Sequence, residues 1–488
     1  MKTLKHAGDH ASGAQSPARK RVATAALWRA VPCLLLLVAL PACAPEQRPL
    51  SGRYRGHDIL LVTIDSLRAD RLGCYGYAKA TPAIDALASR SVVFDSLFTT
   101  SSTTLPAHVS LLTGRDPGDL RNGYTVSDSA VTLAEVLSRE GYESRAVVSS
   151  LPLAAAFNLG QGFAVYDSDF SACRGSLQFG EGRWHAQPFD VFDCDAGETT
   201  ARVLRALDAA DRSHPSFLWV HYFDPHFPYR PPKGYYDEAR VKRRRFPFLH
   251  QATPADLESL NELYDGEVRF LDGQLAALFE GLEARGFLEN TVTLLVSDHG
   301  ENLYQHDGYL DHSMVVYETV MRIPALLELP GRAGTRLGAI ASITDLMPTL
   351  LDLVGVELPA VASQAVSGRS LVRVIESGGA ATGHREFVAC ETNDYGVAEE
   401  DQAVAIRTGE SKMILNNWKK GGRVFYDLAT DPDETRSLTR LSAHAEAALA
   451  DHHRAWRERA ASPPLARRRE LDERTREGLK SLGYLHSE

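Results

Sequence analysis

The chain has 488 residues, of which 44% are hydrophobic and 24% are charged, and its formal net charge is −10. This composition is that of a globular protein that is long enough to bury an extensive core. The negative charge excludes nucleic acid as an expected partner, because binding a phosphate backbone needs a basic face. The basic run at residues 240–245 is typical of a solvated loop.

The N-terminus has the pattern of an export signal. Basic residues between 19 and 29 precede an apolar run, 31–40, that is too short to span a bilayer. The run leads into Leu40-Pro41-Ala42-Cys43, which resembles a bacterial lipobox, a motif whose Cys is lipidated. We therefore expect a lipoprotein-type signal peptide at 1–43, a tether at 44–56, and export to the cell envelope with a lipid anchor in the membrane. An ordinary signal peptide with an incidental Cys43 is the alternative.

Three apolar runs in the first 300 residues have the length and the Val, Ile and Leu content of strands buried on both faces. They cover 58–64, 216–220 and 291–296. Each run is followed at once by acidic or histidine residues, namely Asp65, then His221, Asp224 and His226, and finally Asp298 and His299.

Helical patterns alternate with these runs at 130–140, 198–210 and 254–285. That alternation predicts a doubly wound α/β domain with a mostly parallel sheet. Ligands bind beyond the carboxyl ends of the strands in such sheets, so the polar clusters are expected at the binding edge.

The pattern changes after about Leu358. Residues 403–407 and 412–415 predict a β-hairpin, residues 424–428 predict a third strand, and a helical pattern follows at 442–461. We expect residues 359–488 to form a small antiparallel α+β subdomain beside a larger domain at 57–358.

Four cysteines lie beyond Cys43. Cys173 and Cys194 bracket a Gly-rich insertion, and an oxidising compartment would permit a disulfide between them. Cys74 and Cys390 have no evident partner, and Cys74 is predicted to be a buried thiol.

The most specific motif begins at Thr104. Thr104-Leu105-Pro106, followed by Leu112-Thr113-Gly114-Arg115, resembles the active-site signature of the sulfatase family, in which Cys or Ser, any residue and Pro precede Leu-Thr-Gly-Arg. In that family the Cys or Ser is oxidised to formylglycine, whose hydrated aldehyde is the nucleophile. Oxidation of a threonine would give a ketone, so we expect no formylglycine and a plain Thr104 hydroxyl as nucleophile. Thr104 also suits a helix N-cap, and the two roles are compatible.

The resemblance extends from about Asp58 to the C-terminus and implies an alkaline phosphatase-like fold with one bound divalent metal. Family metal ligands are acids at the end of the first strand and a late Asp with Asn or His, which here implies Asp65, Asp298 and His299, with Thr104 facing the metal. Many sulfatases have two consecutive acids where this chain has Asp65-Ser66. Losing one carboxylate weakens a Ca²⁺ site, and an imidazole favours Mn²⁺, Zn²⁺ or Fe²⁺. The set looks like that of phosphonate monoester hydrolases and of phosphoethanolamine or lipoteichoic-acid transferases.

The resemblance also implies two catalytic histidines. His226 lies in a segment that matches a family segment contacting the sulfate or the leaving oxygen, and His312 lies where the family places a Lys or His facing the anion. Either could protonate a leaving alkoxide, and a structural role in a loop is the alternative. His108 replaces an Arg of the signature, and Ser149-Ser150-Leu151 replaces a Lys-Trp-His segment. Glu301 and His306 are candidate supporting groups.

Taken together, these features predict a metal-dependent hydrolase of sulfate or of phosphate/phosphonate monoesters. Its substrate would be an anionic ester of a glycan, a lipid or a small molecule. The first alternative is a transferase that moves a phosphoryl headgroup from a lipid to an acceptor in the cell envelope. The second is a non-catalytic protein that binds sulfated or phosphorylated glycans.

Overall fold

The structure is a computed structural model that describes residues 49–117, 125–171, 173, 177–180, 183–186, 193–244, 246–247, 251–363, 365–379, 384–392, 402–416, 422–460, 466–467 and 473–481. The chain divides after Gln47 into two units, and all of these residues belong to the second. The predicted signal peptide and lipobox at 1–43 lie outside the described residues. Within the described part, no helix combines the length and the apolar character needed to cross a bilayer.

The strands in chain order are β1 (Asp58–Ile64), β2 (Ser91–Phe94), β3 (Leu97–Phe98), β4 (Thr125–Val126), β5 (Glu143–Val147), β6 (Val165–Asp167), β7 (Leu177–Gly180), β8 (Arg183–Ala186), β9 (Ser216–Tyr222), β10 (Thr291–Ser297), β11 (Arg322–Ile323), β12 (Ala325–Glu328), β13 (Thr335–Leu337), β14 (Ala341–Ser342), β15 (Val388–Glu391), β16 (Val404–Arg407), β17 (Ser411–Leu415), β18 (Arg423–Asp427) and β19 (Ala466–Arg467).

The α-helices are α1 (Pro82–Ser89), α2 (Thr104–Thr113), α3 (Leu133–Arg139), α4 (Ala196–Asp208), α5 (Pro254–Glu283), α6 (Glu318–Met321), α7 (Leu346–Val354), α8 (Ala360–Ser363), α9 (Val372–Glu376), α10 (Ala443–Ala460) and α11 (Glu473–Ser481). Short 3₁₀ helices cover Ala69–Arg71, Gly73–Tyr75, Leu151–Leu153, Ala155–Phe157 and Ile343–Asp345.

Eight strands form the main sheet, in the order β13-β2-β12-β10-β1-β9-β5-β6. β1 lies between β10 and β9 and is parallel to both, and β5 and β6 continue the parallel arrangement. β12 runs against its neighbours β10 and β2. The predicted mostly parallel sheet is therefore confirmed, and the carboxyl ends of β1, β9 and β10 lie side by side.

Helices cover both faces of this sheet, which confirms the predicted doubly wound α/β class. Alternate residues of β1 point to opposite faces. Ile59 and Leu61 pack in the core that includes α2, α3 and α7, whereas Leu60, Val62 and Ile64 pack in the core that includes α1, α4 and α5. All five side chains are fully buried. Burial on both faces explains why the strand is apolar throughout rather than alternating.

Side-chain caps set the starts of the predicted helices. α5 begins at Pro254, because Thr253 and Asp256 form a reciprocal capping box. α3 begins after Thr132, which caps it in the same way. α4 begins at Ala196, earlier than expected, because the Asp195 side chain accepts a hydrogen bond from the Glu198 N–H.

The C-terminal part contains a separate four-stranded antiparallel sheet in the order β15-β16-β17-β18. One face packs on α10, where Ala389 and Ile406 cluster with Leu449 and Trp456. The other face, which includes Cys390, packs in a core shared with residues from 309 to 321. The predicted hairpin, third strand and helix are present, and β15 adds a strand that the sequence pattern did not indicate.

The tether and the cysteines differ in part from expectation. Leu50 and Tyr54, within the predicted tether, are buried in the first core, so this part of the segment packs on the domain. The disulfide between Cys173 and Cys194 is present. Cys74 was predicted to be buried, but it is only half-buried, because it lies in a surface turn against Asp85.

Candidate active site

The predicted site residues converge where three central strands end. Asp65 directly follows β1, and Asp298 and His299 directly follow the neighbouring β10. Thr104 is the first residue of α2, and all four side chains have no exposed surface. The predicted convergence of Asp65, Thr104, Asp298 and His299 is therefore present in the fold.

The position of Thr104 follows from the way α2 begins and ends. Thr103 has extended backbone angles and occupies the N-cap position, so Thr104 is the first helical residue and not the cap that its sequence context suggested. Gly114 ends the helix with a φ of 67°, a conformation that glycine adopts without strain. Every residue of α2 is buried, which holds the Thr104 hydroxyl rigidly at the N-terminal end of the helix.

The Thr104 hydroxyl faces a compact set of metal-ligand groups. Thr104 Oγ1 lies 3.3 Å from Asp65 Oδ2 and 3.3 Å from His299 Nε2. His299 Nε2 in turn lies 3.5 Å from Asp65 Oδ1 and 3.5 Å from Asp298 Oδ2. Among the described residues, Asp298 Oδ2 is a buried oxygen without a hydrogen-bond donor. A divalent cation would satisfy that oxygen, and two carboxylates with a hydroxyl and an imidazole suit Mn²⁺, Zn²⁺ or Fe²⁺.

Ser66 takes the place of the second consecutive acid and orients both carboxylates. Its φ of 57° is unusual for a residue other than glycine, and it turns the Ser66 N–H towards Asp298 Oδ1 at 3.2 Å. Its hydroxyl donates to Asp65 Oδ1, also at 3.2 Å. Ser66 therefore fixes the orientation of both carboxylates through their Oδ1 atoms. It leaves the Asp65 Oδ2 and Asp298 Oδ2 oxygens for other partners.

The electrostatics of this cluster are those of a site that needs positive charge. Burial raises the pKa of Asp65, and burial together with the Asp65 charge raises the pKa of Asp298 well above its usual value. Burial lowers the pKa of His299 well below its usual value, which favours the neutral imidazole that binds a metal. The raised pKa values of Asp65 and Asp298 disfavour the charged carboxylates that bind a metal. A cation held among these groups would lower both pKa values again.

Two further buried histidines lie beside the cluster, and the sequence reasoning did not assign them to the site. His221 Nδ1 accepts a hydrogen bond from the Ser149 N–H at 3.4 Å, so its proton belongs on Nε2, which lies 3.6 Å from Asp65 Oδ2. His108 Nδ1 donates to the Thr104 carbonyl oxygen at 2.8 Å, and His108 Nε2 accepts from the Thr63 hydroxyl at 3.1 Å. Among the described residues His221 Nε2 has no hydrogen-bond partner, whereas His108 fixes the first turn of α2.

The available sequence signal for His221 was its place directly after the apolar run at 216–220. His221 pairs in register with Thr63, two residues before Asp65. A polar residue in a buried strand has to find a buried partner, and here that partner is Ser149.

The two predicted catalytic histidines face one another. His312 Nε2 lies 3.1 Å from His226 Nε2, and the His312 ring stacks on His299 with the ring centroids 4.0 Å apart. Burial lowers the pKa of His226 and lowers the pKa of His312 to about 4. A His312 imidazole with that pKa is neutral at pH 7, which makes it a weak proton donor for a leaving group.

Glu301 and His306 were the predicted supporting groups, and of these two only Glu301 lies beside His312. The Glu301, Asp311 and His312 side chains form a buried group of possible metal ligands. Burial, and secondarily the charge of Asp311, raises the pKa of Glu301 well above its usual value. His306 instead stacks on Tyr317, with ring centroids 4.0 Å apart.

Comparison with known proteins agrees with this architecture. The Sulfatase family model matches residues 57–356, more than half of the chain, and a model described as "N-sulphoglucosamine sulphohydrolase, C-terminal" matches residues 305–459. The mouse iduronate 2-sulfatase is 26% identical over 420 residues, which cover 68% of this chain and 75% of that protein. An arylsulfatase of Clostridium perfringens is 25% identical over 452 residues, covering 80% of this chain and 91% of that protein.

Two solved structures share the fold. The phosphonate monoester hydrolase of Agrobacterium radiobacter matches with a TM-score of 0.64 and 21% identity, covering 83% of this chain and 95% of that one. A protein solved in complex with its substrate D-glucosamine-2-N,6-O-disulfate matches with a TM-score of 0.66 and 18% identity, covering 84% and 99%. The chain therefore belongs to the sulfatase family of the alkaline phosphatase superfamily, a metal-dependent family, and is a sulfuric ester hydrolase.

Proposed function

We propose that the protein is a metal-dependent hydrolase of sulfate or of phosphate/phosphonate monoesters that uses the unmodified Thr104 hydroxyl as its nucleophile. The observation that carries this proposal is the placement of Thr104 Oγ1 within 3.5 Å of Asp65 and His299 at the start of a buried helix. Asp65, Thr104, Asp298 and His299 would hold the divalent cation. When bound, that cation would lower the pKa of a coordinated hydroxyl and neutralise charge on the ester oxygens.

The residues of the chain account for the nucleophile and for the position of the anion. The Thr104 proton has an acceptor in Asp65 Oδ2, 3.3 Å away. The first turn of α2 directs its N–H groups and the positive end of its dipole towards an anion that faces Thr104. Attack of Oγ1 on sulfur or phosphorus would break the bond to the leaving oxygen and form a Thr104 ester. Water would then hydrolyse this ester and return Thr104 to its starting state.

The substrate in this proposal is an anionic ester of a glycan, lipid or small molecule. Relatives and neighbours support both kinds of anion, since they include an iduronate 2-sulfatase, a protein bound to a disulfated glucosamine and two phosphonate monoester hydrolases. The unmodified Thr104 and the absence of the Lys-Trp-His segment at 149–151 favour testing phosphorus esters beside sulfate.

The test is turnover of matched p-nitrophenyl sulfate, p-nitrophenyl phosphate and a p-nitrophenyl phosphonate monoester, with Mn²⁺, Zn²⁺ or Ca²⁺ added to metal-depleted protein. We expect turnover of at least one ester that depends on Mn²⁺ or Zn²⁺ and disappears in Thr104→Ala. Turnover that survives in a pure preparation of Thr104→Ala would overturn the proposal. An alcohol acceptor added to the assay separates hydrolysis from transfer, because a transferase would give the acceptor ester as its main product.

We also propose that the protein is exported and held at the membrane of the cell envelope through Cys43. The support is the apolar run at 31–40 followed by Leu40-Pro41-Ala42-Cys43. Metabolic labelling with an alkyne fatty acid should label the wild-type protein and leave Cys43→Ser unlabelled. Equal labelling of both proteins would contradict the anchor.

A further inference from the structure

A lysine of the C-terminal sheet is completely buried. Lys412 lies in β17, on the same face as Ile414, which packs in the core shared with residues from 309 to 321. Its Nζ atom lies 2.8 Å from Glu434 Oε1 and 3.4 Å from Glu318 Oε1. Apolar residues of similar volume often stabilise a fold as well as a buried ion pair does. The reason for this pair therefore lies in the groups that it holds in place.

Glu434 holds the start of α6. Its φ of 53° is uncommon outside glycine, and its Oε2 atom accepts a hydrogen bond at 2.5 Å from the N–H of Glu318, 116 residues earlier in the chain. Glu318 is the first residue of α6, and Tyr317 at the N-cap position provides no side-chain cap. The first N–H groups of a helix have no partner within the helix, so Glu434 supplies one from the C-terminal sheet. Burial raises the pKa of Glu434 to about 7, and the Lys412 charge opposes that rise.

The helix in turn holds the loop that follows β10. The Gly300 N–H donates to the Val320 carbonyl oxygen at 2.8 Å, and the Glu301 N–H donates to the Thr319 carbonyl oxygen at 3.1 Å. Gly300 directly follows His299, whose Nδ1 donates to the Gly300 carbonyl oxygen at 2.9 Å. A displacement of α6 would therefore move the backbone that orients the His299 ring.

The C-terminal sheet also contacts the segment that leads to Thr104. Glu391, the last residue of β15, accepts a hydrogen bond from the Ser102 N–H at 3.1 Å, and its own N–H donates to the Thr100 carbonyl oxygen at 3.0 Å. These contacts use backbone atoms, which a substitution does not remove. The Lys412–Glu434 pair is a side-chain contact, so its contribution can be tested by mutation.

We propose that Lys412 and Glu434 are positioning residues for the reaction: Lys412 holds the Glu434 carboxylate, Glu434 fixes the start of α6, and α6 fixes the backbone beside His299. This inference rests on the proposed function, because it takes His299 as a metal ligand. Both residues act through α6 and not by contact with the metal or the substrate. Groups that orient a metal ligand typically change metal affinity or activity by about 10–100-fold when they are lost.

The test compares four variants of the full chain. Glu434→Ala removes the acceptor of the Glu318 N–H, and Lys412→Met removes the buried charge. Glu434→Gln keeps an amide oxygen that can accept from Glu318, so it should be milder than Glu434→Ala. Met413→Ala is the matched control, because Met413 lies next to Lys412 in β17 but packs on the opposite face, in the core that includes α10. Urea unfolding measures the stability that each variant loses.

The first measurement is hydrogen exchange of the metal-free protein, followed by mass spectrometry of peptides that contain the Gly300 and Glu301 N–H groups. We expect these two groups to exchange faster in Glu434→Ala and in Lys412→Met than in Met413→Ala, because the first two variants release the start of α6. Neither metal nor substrate is needed for this result.

The second measurement is the affinity for Mn²⁺, obtained by competition with a chelator, together with kcat and KM for an ester that the wild type hydrolyses. Glu434→Ala and Lys412→Met should weaken Mn²⁺ binding and lower kcat by about 10–100-fold, with KM changed by less than about threefold. Glu434→Gln should lie between Glu434→Ala and the wild type. Met413→Ala should keep both the metal affinity and kcat of the wild type, although it is less stable.

The outcomes separate this inference from the proposed function. Metal-dependent turnover in the wild type, with the same exchange rates and the same kcat in Glu434→Ala as in Met413→Ala, would overturn the positioning role and leave the proposed function standing. Faster exchange at Gly300 and Glu301 with unchanged Mn²⁺ affinity and kcat would also overturn the positioning role. No metal-dependent turnover in the folded wild-type protein would overturn the proposed function and, with it, this inference.

Discussion

The buried pair of Asp345 and Arg385 provides a stability prediction that can be worked out from the structure. Asp345 is fully buried and accepts from Arg385 Nε at 2.7 Å, and it also accepts from the backbone N–H groups of Ser342 and Arg369. Arg385 also donates to the Ser367 carbonyl oxygen at 3.1 Å. The N–H groups of Ser367 and its neighbour donate to the Gly114 carbonyl oxygen at the end of α2, so the pair helps to hold the helix that carries Thr104.

The magnitude follows from the pKa of Asp345. Burial acts to raise this pKa, but the Arg385 charge and hydrogen bonds outweigh burial and lower it from 3.8 to about 2. A folded-state pKa below the unfolded value stabilises the folded state, here by about 2 kcal/mol. That contribution is fully present above the unfolded pKa and is lost as the pH falls through the folded pKa, so that roughly half of it remains near pH 3. Arg385→Met leaves the buried carboxylate with its backbone donors and the His384 imidazole, whose Nε2 is 3.3 Å away, so we expect a loss of about 2–4 kcal/mol at pH 7.

The assay is urea unfolding followed by tryptophan fluorescence at pH 7 and at pH 3. Arg369→Met is the matched control, because the Arg369 side chain is exposed and donates to the His384 carbonyl oxygen, while its backbone N–H to Asp345 is kept. We expect Arg385→Met to lower the free energy of unfolding more than Arg369→Met, and the difference to shrink at pH 3. The reasoning is refuted if the two variants are equally stable at pH 7, or if the difference does not depend on pH.

Four other outcomes are expected. Thr104→Ala should lower kcat/KM by about 10⁴-fold or more, whereas Thr104→Ser should stay within about 30-fold, since it keeps the hydroxyl; equal losses would contradict the nucleophile role. Chelation should lower the melting temperature, and Mn²⁺ or Zn²⁺ should restore it better than Ca²⁺; an unchanged melting temperature would argue against a structural contribution of the metal. Cys194→Ser should cost about 3 kcal/mol of unfolding free energy, because it opens a loop with a sequence separation of 21 between the cysteines; a value near zero would refute this. Gly300→Ala should reduce metal affinity, since its Cβ would lie 2.0 Å from the Thr319 carbonyl oxygen. Gly338→Ala is the control, because a Cβ there meets nothing within 4 Å. Equal metal affinities in the two variants would contradict this prediction.

The positions that the sequence predicted well are those where a single local signal determines the structure. A strand buried on both faces is apolar along its whole length, so Ile64 and Ser297 mark the ends of two central strands, and the polar residues after them lie at the binding edge. The assignment of Asp65, Asp298 and His299 followed from those ends and from the resemblance to the sulfatase family. The parallel pairing of β1 and β10 then places them side by side.

Other features depend on contacts between distant residues, and their local signals are weak or misleading. His221 was expected after the apolar run at 216–220, but it is the sixth residue of β9, and no local signal reveals that Asp65 follows the adjacent strand β1. Tyr54 lies in a polar segment that was expected to be a tether, but it is buried against the core. β15 is short, and its pairing with β16 spans the stretch from Glu391 to Val404. In each case a long-range contact decides the outcome.

The roles of the histidines show most clearly what the three-dimensional structure adds to residue type. His221 and His312 are both buried and lie near carboxylates, and residue type alone does not distinguish them. Their backbone partners do, because a donor at Nδ1 of His221 leaves the proton on Nε2, whereas a carbonyl oxygen at Nδ1 of His312 leaves a lone pair on Nε2. The His221 Nε2–H therefore lies 3.6 Å from Asp65 Oδ2, beyond hydrogen-bond distance, whereas neutral His312 presents an acceptor nitrogen. That difference of one proton position separates a histidine that presents a donor beside Asp65 from one that presents an acceptor at the binding edge.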